Sequence, residues 1–289
     1  MTQLPTFLVL GVAKAGTTAL YHHLRAHPGV YMSPVKEPGF FSGSDYGLEA
    51  LAAYRALFSG VQGERAVGEA SPSYLHHPDA PARIAALLPD VKLVVLLRQP
   101  VRRAVSHYFD MLNAGAFPYR PFEEVFREKM RHVEAWADEP FACYGFRLSF
   151  YHDALRRYLD HFPRERLRVY LFEDFRAAPG ALLADLYAFL GVDPGFRPDL
   201  EARHNPTHGV PRSRALHRTV MQPNALKAVA QRLVPAPLRR RAAAFLLRGL
   251  RTGRPTLPDA LRDEFTAVYR DDILKTQALL GRDLSRWLP

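Results

Sequence analysis

Cysteine is almost missing from this chain of 289 residues, which has one, Cys143. A lone thiol excludes an intramolecular disulfide and any cysteine-based metal cluster, and it fits a reducing compartment. Long apolar runs are missing too. No stretch reaches the length of a membrane span, and the N-terminus lacks the basic and long apolar regions of a secretory signal. A cytoplasmic location is the expectation. Internal repeats and low-complexity linkers are also absent, so no firm domain boundary is visible and residues 1–289 read as one domain. The most telling deficit is of negative charge in one segment. Ala202 to Pro258 has no Asp or Glu but twelve Arg and Lys. The whole chain holds 39 basic and 29 acidic side chains, net +10, so the entire surplus lies in that segment. Positive charge confined to one region, without interleaved aromatics, argues against a nucleic-acid-binding protein. It suits the steering of a small, multiply charged anion.

What is present begins with Gly11-Val12-Ala13-Lys14-Ala15-Gly16-Thr17-Thr18. The segment follows a short apolar run, Phe7 to Leu10, and leads into a helix expected over Thr17–Ala26. A strand, a glycine-bounded loop and a helix N-terminus form an anion cradle: backbone N–H groups converge and the helix dipole favours negative charge. The nucleotide triphosphatase version of this loop places lysine directly after its second glycine. Here Thr17 stands at that position and the lysine has moved into the loop as Lys14. A phosphate-like ligand handled by a cation inside the loop, without ATP-type metal chemistry, fits that displacement.

A second segment narrows the choice. Val91 to Leu97 is an apolar, β-branched run of the kind that forms a parallel strand buried on both faces. It ends in Arg98-Gln99-Pro100, and Val101 to Tyr108 continues with helical spacing. A P-loop kinase needs a carboxylate near this point to organise Mg²⁺. This chain has Arg98 there, with Ser106 about two helical turns along. A guanidinium fork and a hydroxyl suit a phosphate monoester. With strands and helical segments alternating along the chain, the expected fold is a three-layer, P-loop-like α/β arrangement with a mostly parallel sheet flanked by helices.

Together these motifs resemble the sulfotransferases that use 3′-phosphoadenosine 5′-phosphosulfate (PAPS). The resemblance implies that Lys14, Ala15, Gly16, Thr17 and Thr18 grip the 5′-phosphosulfate of that co-substrate, and that Arg98 and Ser106 grip its 3′-phosphate. The family residue after the arginine is usually Asp; Gln99 departs from it, a change expected to be tolerated. Lys36-Glu37-Pro38-Gly39-Phe40-Phe41 resembles a segment of the heparan-sulfate and related bacterial branch in which the glutamate is the catalytic base, so Glu37 inherits that role. Gly68-Glu69-Ala70-Ser71-Pro72-Ser73-Tyr74 is similar to that branch's Glu-Lys-Ser/Thr-Pro-x-Tyr stretch, with Ala70 in place of the lysine. Glu69 is the competing carboxylate: a second acid–base group, an acceptor contact, or the ion-pair partner of a basic helix. A late basic loop closes over the donor in this family, which makes Arg212 and Arg214 further candidates.

The implied chemistry needs no metal. Sulfuryl transfer, by analogy with phosphoryl transfer, rests on in-line positioning and electrostatics. Lys14 would neutralise charge on the bridging oxygen, and Glu37 would take the acceptor's proton. The acceptor, expected to be a carbohydrate, a glycolipid or a secondary metabolite, is left open, as is the oligomeric state. Asn224 to Arg254 reads as two helices with the cluster Arg239-Arg240-Arg241, for which a lid, a solvated face and a patch resting on anionic lipid compete. The runner-up functions are a P-loop kinase and a basic nucleic-acid-binding protein.

Overall fold

The computed structural model describes residues 4–114, 116, 120–131, 144–200, 210–211, 251–252 and 257–289. Arg212, Arg214, Cys143 and nearly all of the basic segment lie outside the described residues. The elements in chain order are β1 (Phe7–Gly11), α1 (Thr17–Ala26), β2 (Val30–Met32), α2 (Leu48–Ala56), β3 (Ala66–Ala70), α3 (Ala80–Leu87), β4 (Lys92–Leu97) and α4 (Pro100–Asn113). They continue with α5 (Phe122–Met130), α6 (Tyr144–Arg147), α7 (His152–Leu159), β5 (Leu167–Leu171), α8 (Phe172–Ala177), α9 (Pro179–Leu190), β6 (Val210–Pro211), β7 (Arg251–Thr252) and α10 (Asp259–Leu280). Two compact units emerge: residues 1–103, 148–205 and 269–289 form the first, and residues 104–147 and 206–268 the second.

The first unit is built on five parallel strands in the order β2-β3-β1-β4-β5. The expected α/β architecture with a parallel sheet is therefore the one observed. Every residue of β1 and β3 is buried, and so is β4 beyond Lys92. Burial on both faces is what the unbroken apolar runs of β1 and β4 require. The chain runs from β1 to β2 and β3 on one side, then crosses to β4 and β5 on the other. Parallel strands bring all their carboxyl ends to one edge, and β1 is the point where the winding direction reverses. In open α/β sheets that crevice is where ligands bind.

Close packing at two glycines sets the centre of the sheet. Gly68 of β3 is in register with Phe7 of β1, and a Cβ there would fall 2.4 Å from the Phe7 ring. Gly11, at φ 138°, ends β1 where a Cβ would lie 3.0 Å from the Pro72 carbonyl oxygen. The helix expected over Thr17–Ala26 occupies those residues, burying Leu20, Tyr21 and Leu24. Glu173-Asp174-Phe175 lies within the helix α8. Two carboxylates in its first turn complement the helix dipole.

Within the second unit, Phe122, Phe126, Phe146 and Phe265 pack ring against ring, with the Phe126 and Phe265 centroids 4.0 Å apart. Arg127 meets Glu264 through two charge-assisted bonds of 3.0 and 2.8 Å. β6 and β7 pair antiparallel, so Arg251 and Thr252 are extended where the periodicity predicts a helix through Arg254. A β-branched threonine ahead of Gly253 favours that outcome.

Candidate active site

The segments after β1, β2 and β4, together with the end of β3, bring the charged side chains singled out in the sequence to the carboxyl edge of the sheet in the first unit. The loop after β1 holds Lys14. Its amide framework is set by Val12 N–H donating to the Leu96 carbonyl (2.9 Å) and Ala15 N–H to the Val12 carbonyl (3.1 Å). Gly16 caps α1 in the left-handed region, with no side-chain cap hydrogen bond. The first-turn amides of a helix have no partner inside it, so Thr17 and Thr18 present theirs toward the loop. Lys14 is itself left-handed, at φ 74°. A non-glycine residue in that region costs about 1–3 kcal/mol and persists where the surroundings impose it, which is common at functional sites.

Arg98 emerges from β4 and donates from Nη1 to the Lys14 carbonyl at 2.8 Å. Its guanidinium lies over the Phe172 ring, 4.6 Å from the centroid. The same ring faces Gly16, where a Cβ would come within 3.0 Å of Cδ2. Phe172 thus packs against both the loop and the arginine, joining the two motifs. Its place one residue past β5 gave no hint of that role. Tyr151 donates its hydroxyl to the Arg98 carbonyl at 2.7 Å, fixing the backbone. Ser106, on α4, is buried and belongs to the second unit.

Gln99 has a structural explanation. Its Oε1 accepts the Arg102 N–H at 2.7 Å, the capping bond that an Asp would supply to the first turn of α4. Its Nε2 also donates to the Trp287 carbonyl at 3.3 Å, which a carboxylate could not do. Glu173 completes the tie, accepting from Gln99 N–H (3.1 Å) and Trp287 Nε1 (3.3 Å).

Glu37 stands on the loop after β2. It is exposed, adopts φ 62°, and pairs with Lys36. The loop is pinned to the end of β3: Glu37 N–H donates to the Ala70 carbonyl (3.1 Å) and Gly39 N–H to Ser71 Oγ (3.1 Å). Ser71 in turn donates to Glu69 Oε2 at 2.8 Å, and Tyr54 donates to Oε1 at 3.3 Å. The Glu69 side chain is fully buried. Burial pushes its carboxyl up from the ordinary 4.5 to about 7; the neighbouring hydroxyls of Tyr74, Ser71 and Tyr54 oppose the shift, and the Glu37 charge adds to it. Hydroxyls therefore satisfy Glu69, in place of the basic-helix partner that the sequence offered as one choice. The structure joins Lys14 to Arg98, and the loop that carries Glu37 to Glu69 through Gly39 and Ser71.

This chain belongs to the sulfotransferase family, whose pattern matches residues 45–198. Human heparan sulfate glucosamine 3-O-sulfotransferase 3B1 is 35% identical over 191 residues, covering 66% of this chain and 47% of that protein. Human heparan sulfate glucosamine 3-O-sulfotransferase 6 is 34% identical over 192 residues, covering 65% and 52%. The chain spans about half the length of these relatives. Among solved structures, a sulfotransferase from Alicyclobacillus acidocaldarius superposes with a TM-score of 0.70 at 29% identity, covering 99% of each chain. Among the described residues, no helix is long and apolar enough to cross a membrane.

Proposed function

We propose that this protein transfers a sulfuryl group from PAPS to a hydroxyl, with an amine as the second choice, of a carbohydrate, glycolipid or secondary metabolite. The observation that carries this reading is the Lys14–Arg98 unit: a strained lysine loop at an uncapped helix N-terminus, locked to an arginine at the switch point of a parallel sheet. The first-turn amides of α1 and the hydroxyls of Thr17 and Thr18 fit the 5′-phosphate. Arg98 and Ser106 are the proposed 3′-phosphate ligands, with Arg212 and Arg214 assigned to the same end. When bound, PAPS supplies an activated S–O bond whose leaving group is a phosphate.

Lys14 is assigned to the charge that builds on that bridging oxygen. Glu37, exposed, with its amide on the Ala70 carbonyl and its loop held at Gly39 by Ser71, receives the proton of the acceptor hydroxyl as the new O–S bond forms. The products are a sulfate ester and adenosine 3′,5′-bisphosphate. Glu69 is assigned to support of the Glu37 loop, through Ser71 and Gly39. The relatives' printed names support a carbohydrate acceptor, and family membership weighs against the kinase and nucleic-acid readings.

Release of adenosine 3′,5′-bisphosphate from PAPS, followed against a panel of hydroxylated acceptors, tests the assignment. Glu37→Gln is expected to bind donor normally and lose about 10²- to 10⁴-fold in transfer. Full activity in that variant would move the base to Glu69.

A further inference from the structure

The largest fully buried side chain in the first unit is charged. Arg103, on α4, has no solvent exposure. Its Nε donates to Ser149 Oγ at 2.6 Å, and Ser149 passes its own hydrogen on to the Pro100 carbonyl at 2.9 Å. Nη1 lies 3.5 Å from the carbonyl oxygen of Ala13, the residue beside Lys14 in the anion loop. Nη2 has no hydrogen-bond partner among the described residues. Among the described residues, the side chains that bear on it electrostatically are the phenols of Tyr151 and Tyr269. Asp272, the acid buried near those tyrosines, is occupied by the Tyr151 and His152 amides at 2.8 and 3.0 Å.

A guanidinium does not give up its proton in a protein, so this charge persists even where burial disfavours it. A buried charge without a counter-charge is costly, and removing it for an apolar group of similar volume is often neutral or stabilising. A group that weakens the free protein and abuts a ligand loop is explained if its counter-charge comes with the ligand.

We infer that Arg103 is a positioning residue of the donor loop. It holds the Ala13 carbonyl from beneath and places a permanent positive charge under the loop, to be neutralised by the 5′-phosphate end of the bound nucleotide. The inference rests on the donor reading proposed above. Arg103 stands between Arg98 and Ser106 in the sequence, but their spacing does not tell which of the intervening side chains turn inward.

Affinities for adenosine 3′,5′-bisphosphate, adenosine 5′-monophosphate and adenosine 3′-monophosphate test it in the wild type, Arg103→Met and Arg103→Lys, beside the thermal midpoint of each ligand-free protein. Arg103→Met should lose about tenfold to a hundredfold for the bisphosphate and the 5′-monophosphate. The 3′-monophosphate should be unaffected and the ligand-free midpoint not lowered. Arg103→Lys, which keeps the charge, should recover most of the loss. Equal losses for both monophosphates with a lowered midpoint would mark a merely structural residue and overturn the inference. So would a folded Arg103→Lys that loses the 5′ preference, which decides the matter if Arg103→Met does not fold. Wild-type binding matched by Arg103→Met sinks this inference alone. A wild type that binds none of the three nucleotides sinks the donor reading, and this inference with it.

Discussion

Replacing Glu69 with glutamine should change how the stability of the protein depends on pH. In the unfolded chain this carboxyl ionises near 4.5, and in the folded chain near about 7, chiefly because it is fully buried. Between those values the folded state holds a proton that the unfolded state has lost, so stability falls as pH rises. The contribution is complete below 4.5 and gone once pH has passed through 7. The gap corresponds to about 3 kcal/mol. Glutamine is neutral throughout and leaves a fixed offset from its rearranged hydrogen bonds to Tyr54 and Ser71. Between pH 4.5 and 8, Glu69→Gln should therefore gain about 3 kcal/mol on the wild type, or about 5 °C in thermal midpoint for a chain of this size. Other titrating groups cancel in the comparison. Thermal or urea denaturation of both proteins across that range is the assay. Parallel curves would mean that Glu69 is solvated or paired with a cation, and the account of the Glu69–Ser71–Gly39 link would fall.

The remaining predictions concern the two motifs. Lys14→Ala should cost about 10²- to 10³-fold in turnover with a smaller loss of donor binding, and an equal loss in both would make Lys14 a binding residue only. Arg98→Ala should weaken binding of the bisphosphate product by about 2 kcal/mol, read by calorimetry; unchanged affinity would undo its assignment. Gln99→Ala should destabilise by about 1 kcal/mol through loss of the cap on α4. Gln99→Asp should keep the cap and lose only the bond to the Trp287 carbonyl, so its thermal midpoint should fall between those of Gln99→Ala and the wild type.

Strong local patterns were legible in the sequence. The loop between Gly11 and Gly16, the helix from Thr17 to Ala26 and the apolar run through Leu97 are each defined by contiguous residues, and each occupies the expected place. The parallel sheet followed from their alternation. β3 was harder. Ala66-Val67-Gly68-Glu69-Ala70 has one β-branched residue, a glycine and a charge, and its full burial depends on Phe7 filling the space over Gly68. Nothing local announces that Glu69 is buried, because the hydroxyls that satisfy it come from Tyr54 on α2 and from Ser71. Gln99 meets a carbonyl 188 residues away, and Phe172 serves a loop and an arginine from two other strands. Such long-range partners are set by topology. The carry-over of Glu37 came from family resemblance; its left-handed backbone and its anchoring beside Ser71 are structural facts that now accompany it.

The central claim is the identity of the donor, and calorimetric titration tests it most directly. Purified protein would be titrated with adenosine 3′,5′-bisphosphate, and in parallel with ATP–Mg²⁺. Tight, metal-independent binding of the bisphosphate, with no measurable binding of ATP–Mg²⁺, is the predicted result. Binding of ATP–Mg²⁺ alone would contradict the account, and the displaced lysine at position 14 would then belong to a kinase-like site.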